Sequence, residues 1–365
     1  MGHVAGHAAA ALNGALVALG DQLGLWTAMA GAGPLTVDQL AERAQVDRRY
    51  LREWLAAQAA NGMVVHRRDA DLPADPTAET FELTGAATAV LAAPDGPASL
   101  IAGFAMLPLL HRLLPALGAA FRTGDGVGWL EWDNELHDAE ERFSRPFHLN
   151  FLVDVWLAGV PGLLDALVAG AKVADVGCGY GTSTILLAQR FPASTFVGYD
   201  FHDHSVARAR EAARRAGVSD RVRFEVADAA DLPGTDHDLV LFCDSLHDMG
   251  DPVGVARHAR RGLAPGGRLV TLDPAVTGSS LAEHLADPFA ALLYPVSTFI
   301  CTPAALAQHG PRALGALAGE VGLRQVLSDA GFSRIDRVPD TPVNMVLYTT
   351  DERAGAADGD GEGGA

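Results

Sequence analysis

Three glycines at alternate positions, Gly177, Gly179 and Gly181, close the run Val173-Ala174-Asp175-Val176-Gly177-Cys178-Gly179-Tyr180-Gly181. An apolar stretch containing a late acid reads as a buried strand, and glycines let the chain turn tightly and bring a ligand against bare backbone. Thr182, Ser183 or Thr184 is placed to cap the helix that continues through Ile185-Leu186-Leu187-Ala188. A dinucleotide fingerprint needs G-x-G-x-x-G, whose third glycine packs helix on strand. Here the spacing is G-x-G-x-G with Asp175 two residues ahead of it, where it would repel a pyrophosphate. A cationic ligand suits this turn better.

More acids follow at strand ends. Val197-Gly198-Tyr199-Asp200 comes about 20 residues after the turn, where a carboxylate accepts both hydroxyls of a ribose. Asp228, in Phe224-Glu225-Val226-Ala227-Asp228-Ala229, falls just past a third strand, where an adenine amino group would be read. A fourth strand, Asp238 to Asp244, runs into Ser245-Leu246-His247-Asp248 and faces the reacting centre. Gly262-Leu263-Ala264-Pro265-Gly266-Gly267-Arg268-Leu269-Val270 is a helix stop, a turn and a strand, with a structural role only.

These residues need a parallel sheet to position them. From Ala171 onward strands are expected at 173–176, 195–199, 221–226, 238–243, 268–273, 333–338 and 343–349, and helices at 182–190, 203–216, 252–263 and 318–330. Such alternation places helices on both faces of the sheet. The segment 274–316, with four prolines and Phe289, Tyr294 and Phe299, breaks the rhythm and reads as a lid at the carboxyl edge. Residues 351–365 are Gly, Ala and acid and are expected to be disordered.

The first 95 residues read as a separate module. Leu12, Leu16, Leu19, Leu23 and Trp26 recur near helical spacing, Thr36 and Gln39 have the pattern of a capping box, and a second helix runs through Leu51, Trp54 and Leu55. Short strands at 63–65 and 81–84 complete a winged helix. DNA binding is disfavoured, because Asp47 and Glu53 are interleaved with Arg48, Arg49 and Arg52, and the wing carries Asp69, Asp71, Asp75 and Glu79. Folding and dimerisation are the better reading. Residues 96–165 read as a helical linker, punctuated by Pro108 and Pro115, whose aromatics (Trp129, Trp132, Phe143, Phe147, Phe151, Trp156) are core with some walling a substrate cavity. His111, His137 and His148 lack metal spacing and read as packing or surface residues.

With 365 residues, 49% of them hydrophobic, the chain can bury two cores, and its net charge of -18 disfavours a polyanionic partner. Cys178, Cys243 and Cys301 are widely spaced in apolar surroundings, which suits a reducing cytoplasm. No signal peptide is recognisable, and the Ala-rich start is too weakly apolar to span a bilayer.

In this order and spacing VADVGCGYG, VGYD, FEVADA, DLVLFCDSLHD and LAPGGRLV resemble the class I S-adenosylmethionine-dependent methyltransferases. The N-terminal half is similar to the branch with a preceding winged helix, and LHDMGDP and STFICTPAAL resemble motifs of actinobacterial members of that branch. The resemblance implies a Rossmann-like seven-stranded α/β sheet, mostly parallel with the last strand antiparallel, over residues 166–350. It implies S-adenosylmethionine as cofactor, with Asp175, Gly177, Cys178, Gly179 and Gly181 about its methionine part. Asp200 and Phe201 would lie at the ribose, Asp228 and Ala229 at the adenine, and Asp244 near the methionine end. It also implies a homodimer that methylates a small, fairly hydrophobic molecule of secondary metabolism, with no nucleic-acid or membrane partner.

His247, one step beyond the fourth strand, is the candidate base, with Asp248 to orient it. Some relatives that methylate beside the carbonyl of a 2-oxo acid hold a metal with a His-Asp pair and a further histidine. The third ligand would fall around Ser297 to Cys301, Ile300 stands where a histidine is sought and His284 and His309 are poor substitutes, so no metal is expected. Three alternatives remain: a metal-assisted 2-oxo acid C-methyltransferase, a regulator that senses the nucleoside through a retained fold, and a non-methylating use of the cofactor.

Overall fold

The computed structural model describes residues 2–68, 79–276, 278, 280–308, 310 and 312–350. The wing acids Asp69, Asp71 and Asp75, the tail 351–365 and His309 lie outside them. By compactness the chain divides into one unit of residues 1–114 and 133–150 and a second of 115–132 and 151–365. The stretch 96–165 is thus shared between the two.

In the first unit, α1 (Gly2–Gln22), α2 (Leu25–Met29), α3 (Val37–Ala44) and α4 (Arg48–Ala60) precede the antiparallel hairpin of β1 (Val64–Arg68) and β2 (Glu79–Leu83). The capping box forms as expected: Gln39 N–H donates to Thr36 Oγ1 at 3.2 Å, and Thr36 N–H to Gln39 Oε1 at 2.8 Å. Asp47 caps α4 by accepting from the N–H groups of Arg49 and Tyr50 at 2.9 and 3.1 Å. Trp26, Leu40, Trp54, Leu55 and Phe81 form the core, so this winged helix is held by burial rather than by its many surface ion pairs. Three further helices are α5 (Gly85–Leu91), α6 (Ile101–Thr123) and α7 (Asn134–Phe151).

Helix α6 runs unbroken through Pro108 and Pro115, where the sequence suggests interruption. Among the described residues it is the one unbroken helix long and apolar enough to cross a membrane. Its Arg112 pairs with Asp133 and Glu135 at 2.6 and 2.8 Å.

The second unit is an α/β sandwich. After α8 (Leu163–Ala169) come β3 (Lys172–Val176), α9 (Thr182–Arg190), β4 (Thr195–Asp200), α10 (Asp203–Ala216), β5 (Val222–Val226), β6 (His237–Cys243), α11 (Pro252–Gly262) and β7 (Leu263–Pro274). Three short helices, α12 (Leu281–His284), α13 (Ala290–Phe299) and α14 (Cys301–Leu306), fill the segment read as a lid. α15 (Gly319–Asp329), β8 (Ile335–Val338) and β9 (Asn344–Thr350) end the described chain. The sheet order is β5-β4-β3-β6-β7-β9-β8; β3 to β7 are parallel, and β9, the last strand in sequence, is antiparallel to both neighbours.

Burial on both faces explains the near-continuous apolar runs of β3 and β6. Val176, Tyr199, Phe242, Leu269 and Leu347 of the sheet pack with Leu323 and Leu327 of α15 in one core. Strand order reverses beside β3, because β4 lies on one side of it and β6 on the other. Such a reversal opens a crevice at the carboxyl ends of the strands.

Candidate active site

At that crevice all three glycines of the turn adopt left-handed backbone, with φ of 72°, 51° and 79° at Gly177, Gly179 and Gly181. Each would be strained as any other residue. Their surroundings differ. A Cβ on Gly177 would stand 2.6 Å from Ser245 Cβ, and one on Gly181 would stand 2.7 Å from Phe224 Cε1 and 3.1 Å from Ala209 Cβ. A Cβ on Gly179 would meet nothing within 4 Å. The outer two glycines therefore serve packing, and the middle one borders open space. The N–H groups of Gly177 and Cys178 both donate to Tyr199 O, at 2.8 and 3.0 Å, and Ser245 Oγ donates to Val176 O at 2.7 Å.

The strand-end acids hold this loop in shape. Asp175 is wholly buried, and its Oδ2 accepts from Ser183 Oγ at 2.5 Å and Thr184 Oγ1 at 2.7 Å. Those hydroxyls, read from the sequence as possible caps, instead tie α9 to β3. The N-cap of α9 is Gly181, without a side-chain cap. Asp200 accepts from Gly179 N–H through Oδ2 and from His202 N–H through Oδ1, each at 2.9 Å. Burial raises the carboxyls of Asp175 and Asp200 against the lowering effect of these donors.

Asp228 is exposed and accepts from Ala230 N–H at 2.8 Å, while Ala229 beside it is half-buried and Phe201 is exposed. Asp244 has φ 50°, left-handed for a non-glycine, and accepts from Asn344 Nδ2 at 2.6 Å. Its carboxyl is pushed by burial up to about 7.

Next to Asp244 lies a buried polar group. His247 is only 4% exposed; its Nδ1 is 2.8 Å from Asp273 Oδ1 and its Nε2 is 3.3 Å from Asp248 Oδ1. Thr271 Oγ1 donates to the other Asp273 oxygen. Burial alone would lower the imidazole pKa, but the two carboxylates outweigh it and hold His247 well above its ordinary 6.5. This environment favours the protonated form of the His247 ring. Asp248 is pushed up by burial, and the Cys301 thiol at the start of α14 is pushed up to about 12 by burial and by Asp248.

One side chain joins these elements. Gln308 Nε2 donates to Asp248 O at 2.7 Å and to Ala304 O at 3.1 Å, and its Oε1 accepts from Gly250 N–H at 3.2 Å. On the other side of α14, Val127 N–H donates to Pro303 O at 3.1 Å, and a Cβ on Gly126 would overlap the backbone of Ala307. The glycine-rich break before Trp129 is therefore a seat for α14.

The structure thus brings Asp175, the three glycines, Asp200, Asp244, His247 and Asp248 to one sheet edge. Asp273, Asn344 and Cys301 join them without having been recognised as site residues, although β7 could have been asked why it ends in an acid. Trp132, Phe147 and Trp156 are buried as core. In the winged helix, Arg48 pairs with Asp38 at 2.5 Å, Arg49 with Glu53 at 2.5 Å and Arg52 with Glu79 at 3.2 Å. Each of these three arginines thus faces an acid.

A reversed strand order, a left-handed glycine turn open at its centre and an acidic carboxyl edge form a crevice of the kind in which α/β sheets bind ligands. Residues 167–307 match the family described as Methyltransferase domain, and residues 9–85 the Rv2258c-like winged HTH domain. The matched segments lie in the order winged helix, then methyltransferase domain. It is 39% identical over 144 residues to a 27-O-demethylrifamycin SV methyltransferase of Amycolatopsis mediterranei, covering 39% of this chain and 48% of that protein. With methyltransferase GfsG of Streptomyces halstedii it shares 40% identity over 113 residues, 30% of this chain and 40% of the other. The chain thus spans about half or less of the length of these relatives.

Two solved structures have the same fold over nearly the whole chain. The human N-acetylserotonin methyltransferase complex with SAM has a TM-score of 0.69 at 16% identity, covering 95% of this chain and 96% of that one. The mitomycin 7-O-methyltransferase MmcR has a TM-score of 0.64 at 21% identity, covering 96% and 97%.

Proposed function

We propose that this protein transfers the methyl group of S-adenosylmethionine to a small, fairly hydrophobic acceptor of secondary metabolism. The observation that carries this reading is the open space at Gly179, bordered by strand-end acids whose charge favours a cationic nucleoside over a pyrophosphate. Asp200, which shapes the loop through two backbone donors, keeps lone pairs for the ribose hydroxyls. Asp228 and Ala229 take the adenine and Asp244 the methionine end. Phe201 and Cys178 flank the ribose and the loop. Asp175 has no exposed surface and acts through its charge and its hold on α9.

The bound nucleoside supplies an activated methyl group, so alignment is the protein's main task, and alignment alone is worth roughly 7–11 kcal/mol. His247 lies between Asp248 and Asp273, and the acceptor's proton passes to this cluster rather than to an isolated imidazole. The segment 274–316 would exclude water from a reaction in which positive charge is lost. We further propose a homodimer joined through the first unit, where Val4 and Leu12 of α1 are more than 70% exposed, at 72% and 74%. Three free thiols fit a reducing cytoplasm.

The test is incubation with methyl-deuterated S-adenosylmethionine and a panel of aromatic and polyketide-like hydroxyl compounds. Label in a product supports the reading, whereas hydrolysis or rearrangement without label transfer contradicts it.

A further inference from the structure

We propose that His247, Asp248 and Cys301 form a binding site for a divalent cation of the zinc class. All three side chains are buried, and one potential ligand atom from each lies within 4.8 Å of the others. They come from two segments far apart in sequence, the turn after β6 and the first residue of α14, which Gln308 clamps together. The sequence directs attention to Ile300 for a third ligand; helical geometry presents the next residue instead.

Three features go beyond proximity. First, Asp248 is 9% exposed and its Oδ1 faces the cluster, 3.3 Å from His247 Nε2, so its close polar neighbours are the other two residues of the set. Second, His247 Nδ1 is engaged by Asp273, itself held by Thr271, which leaves Nε2 facing the cluster. A ligating histidine typically has this carboxylate behind it, fixing its ring. Third, two carboxylates flank one imidazole, Asp248 at 3.3 Å and Asp273 at 2.8 Å, so the cluster is rich in oxygen acceptors.

Nitrogen, carboxylate and thiolate together suit zinc and its borderline neighbours, and a thiolate disfavours magnesium and calcium. Binding displaces the thiol proton of Cys301 and the Nε2 proton of His247 to solvent. Three protein ligands leave one tetrahedral position free, the pattern of a catalytic rather than a structural zinc site. There an oxygen of the acceptor would be polarised and its proton made easier to release, to solvent rather than to His247 or Asp248, which would then be ligands. Only this last consequence rests on the methyl-transfer reading.

The test uses the full chain without an affinity tag, with His3 and His7 replaced by alanine. Those exposed rings lie one helical turn apart with Nε2 atoms 3.1 Å from each other and could capture metal themselves. Chelator-stripped protein is titrated with Co2+ and followed by absorption. One equivalent should bind with a thiolate-to-cobalt charge-transfer band, and added Zn2+ should displace it. The near-isosteric Cys301→Ser should lose that band while its melting curve shows it folded, and Asp273→Asn should weaken affinity about 10–100-fold. Absence of saturable binding, or a band that survives Cys301→Ser and so arises from Cys178 or Cys243, would overturn the site. S-adenosylmethionine titrated into the same stripped protein separates the two readings, since its binding would persist if only the metal site were wrong.

Discussion

Alanine at Gly179 and at Gly181 should separate two roles in one loop. Both positions have φ beyond +50°, at 51° and 79°, so alanine at either costs about 1–2 kcal/mol in left-handed backbone. At Gly181 the new methyl also overlaps the Phe224 ring and stands 3.1 Å from Ala209 Cβ, an overpacking worth about 1–3 kcal/mol more. Gly181→Ala should therefore lose about 2–5 kcal/mol, or roughly 4–20 °C in melting temperature for a domain of this size. Gly179→Ala meets no protein atom within 4 Å and should lose only the backbone part, roughly 2–8 °C. Its methyl projects into the space assigned to the nucleoside, so affinity should fall at least about tenfold, or 1.4 kcal/mol. Scanning calorimetry reads the first quantity and titration calorimetry with S-adenosylmethionine the second. If Gly179→Ala binds as tightly as the parent, or melts as low as Gly181→Ala, the assignment of open side and packed side is wrong.

Other perturbations have equally direct readouts. Asp200→Ala should weaken the nucleoside by about 1–3 kcal/mol through unpaired hydrogen bonds, and unchanged calorimetric affinity would remove Asp200 from the ribose site. His247→Ala should lower turnover about 100-fold or more while sparing nucleoside affinity; an unaltered rate would leave the residue structural. His148 is buried and held by desolvation at about 4, below its ordinary 6.5. The unfolded chain takes up this proton first, so stability is unaffected above pH 6.5 and falls as pH drops from there to about 4, by up to about 3 kcal/mol. Urea melts of His148→Gln across that range should show a shallower acid decline, and identical slopes would contradict the assignment.

Local patterns carried the fold. The helix read at 182–190 is α9 at the same boundaries, because the left-handed Gly181 starts it and its apolar face packs on the sheet. The capping box at Thr36 and Gln39 is likewise local and forms as written. What escaped was long-range. Asp273 ends an ordinary apolar strand, and nothing near it in sequence announces the imidazole 26 residues before it. Asn344 meets Asp244 only because β9 turns back beside β7. Ser183 and Thr184 are well placed as caps in sequence, yet the buried carboxylate of Asp175 competes for both hydroxyls and wins. Cys301 reaches the site through α14, whose seat at Gly126 comes from another part of the chain.

Everything proposed for this edge depends on the loop at Gly177 to Gly181 receiving a sulfonium nucleoside. Melting temperature measured against S-adenosylmethionine concentration tests that directly. Saturable one-to-one binding at 100 times Kd should stabilise the second unit by about 2.7 kcal/mol, roughly 5–11 °C. No shift and no heat at concentrations on the order of millimolar would contradict it.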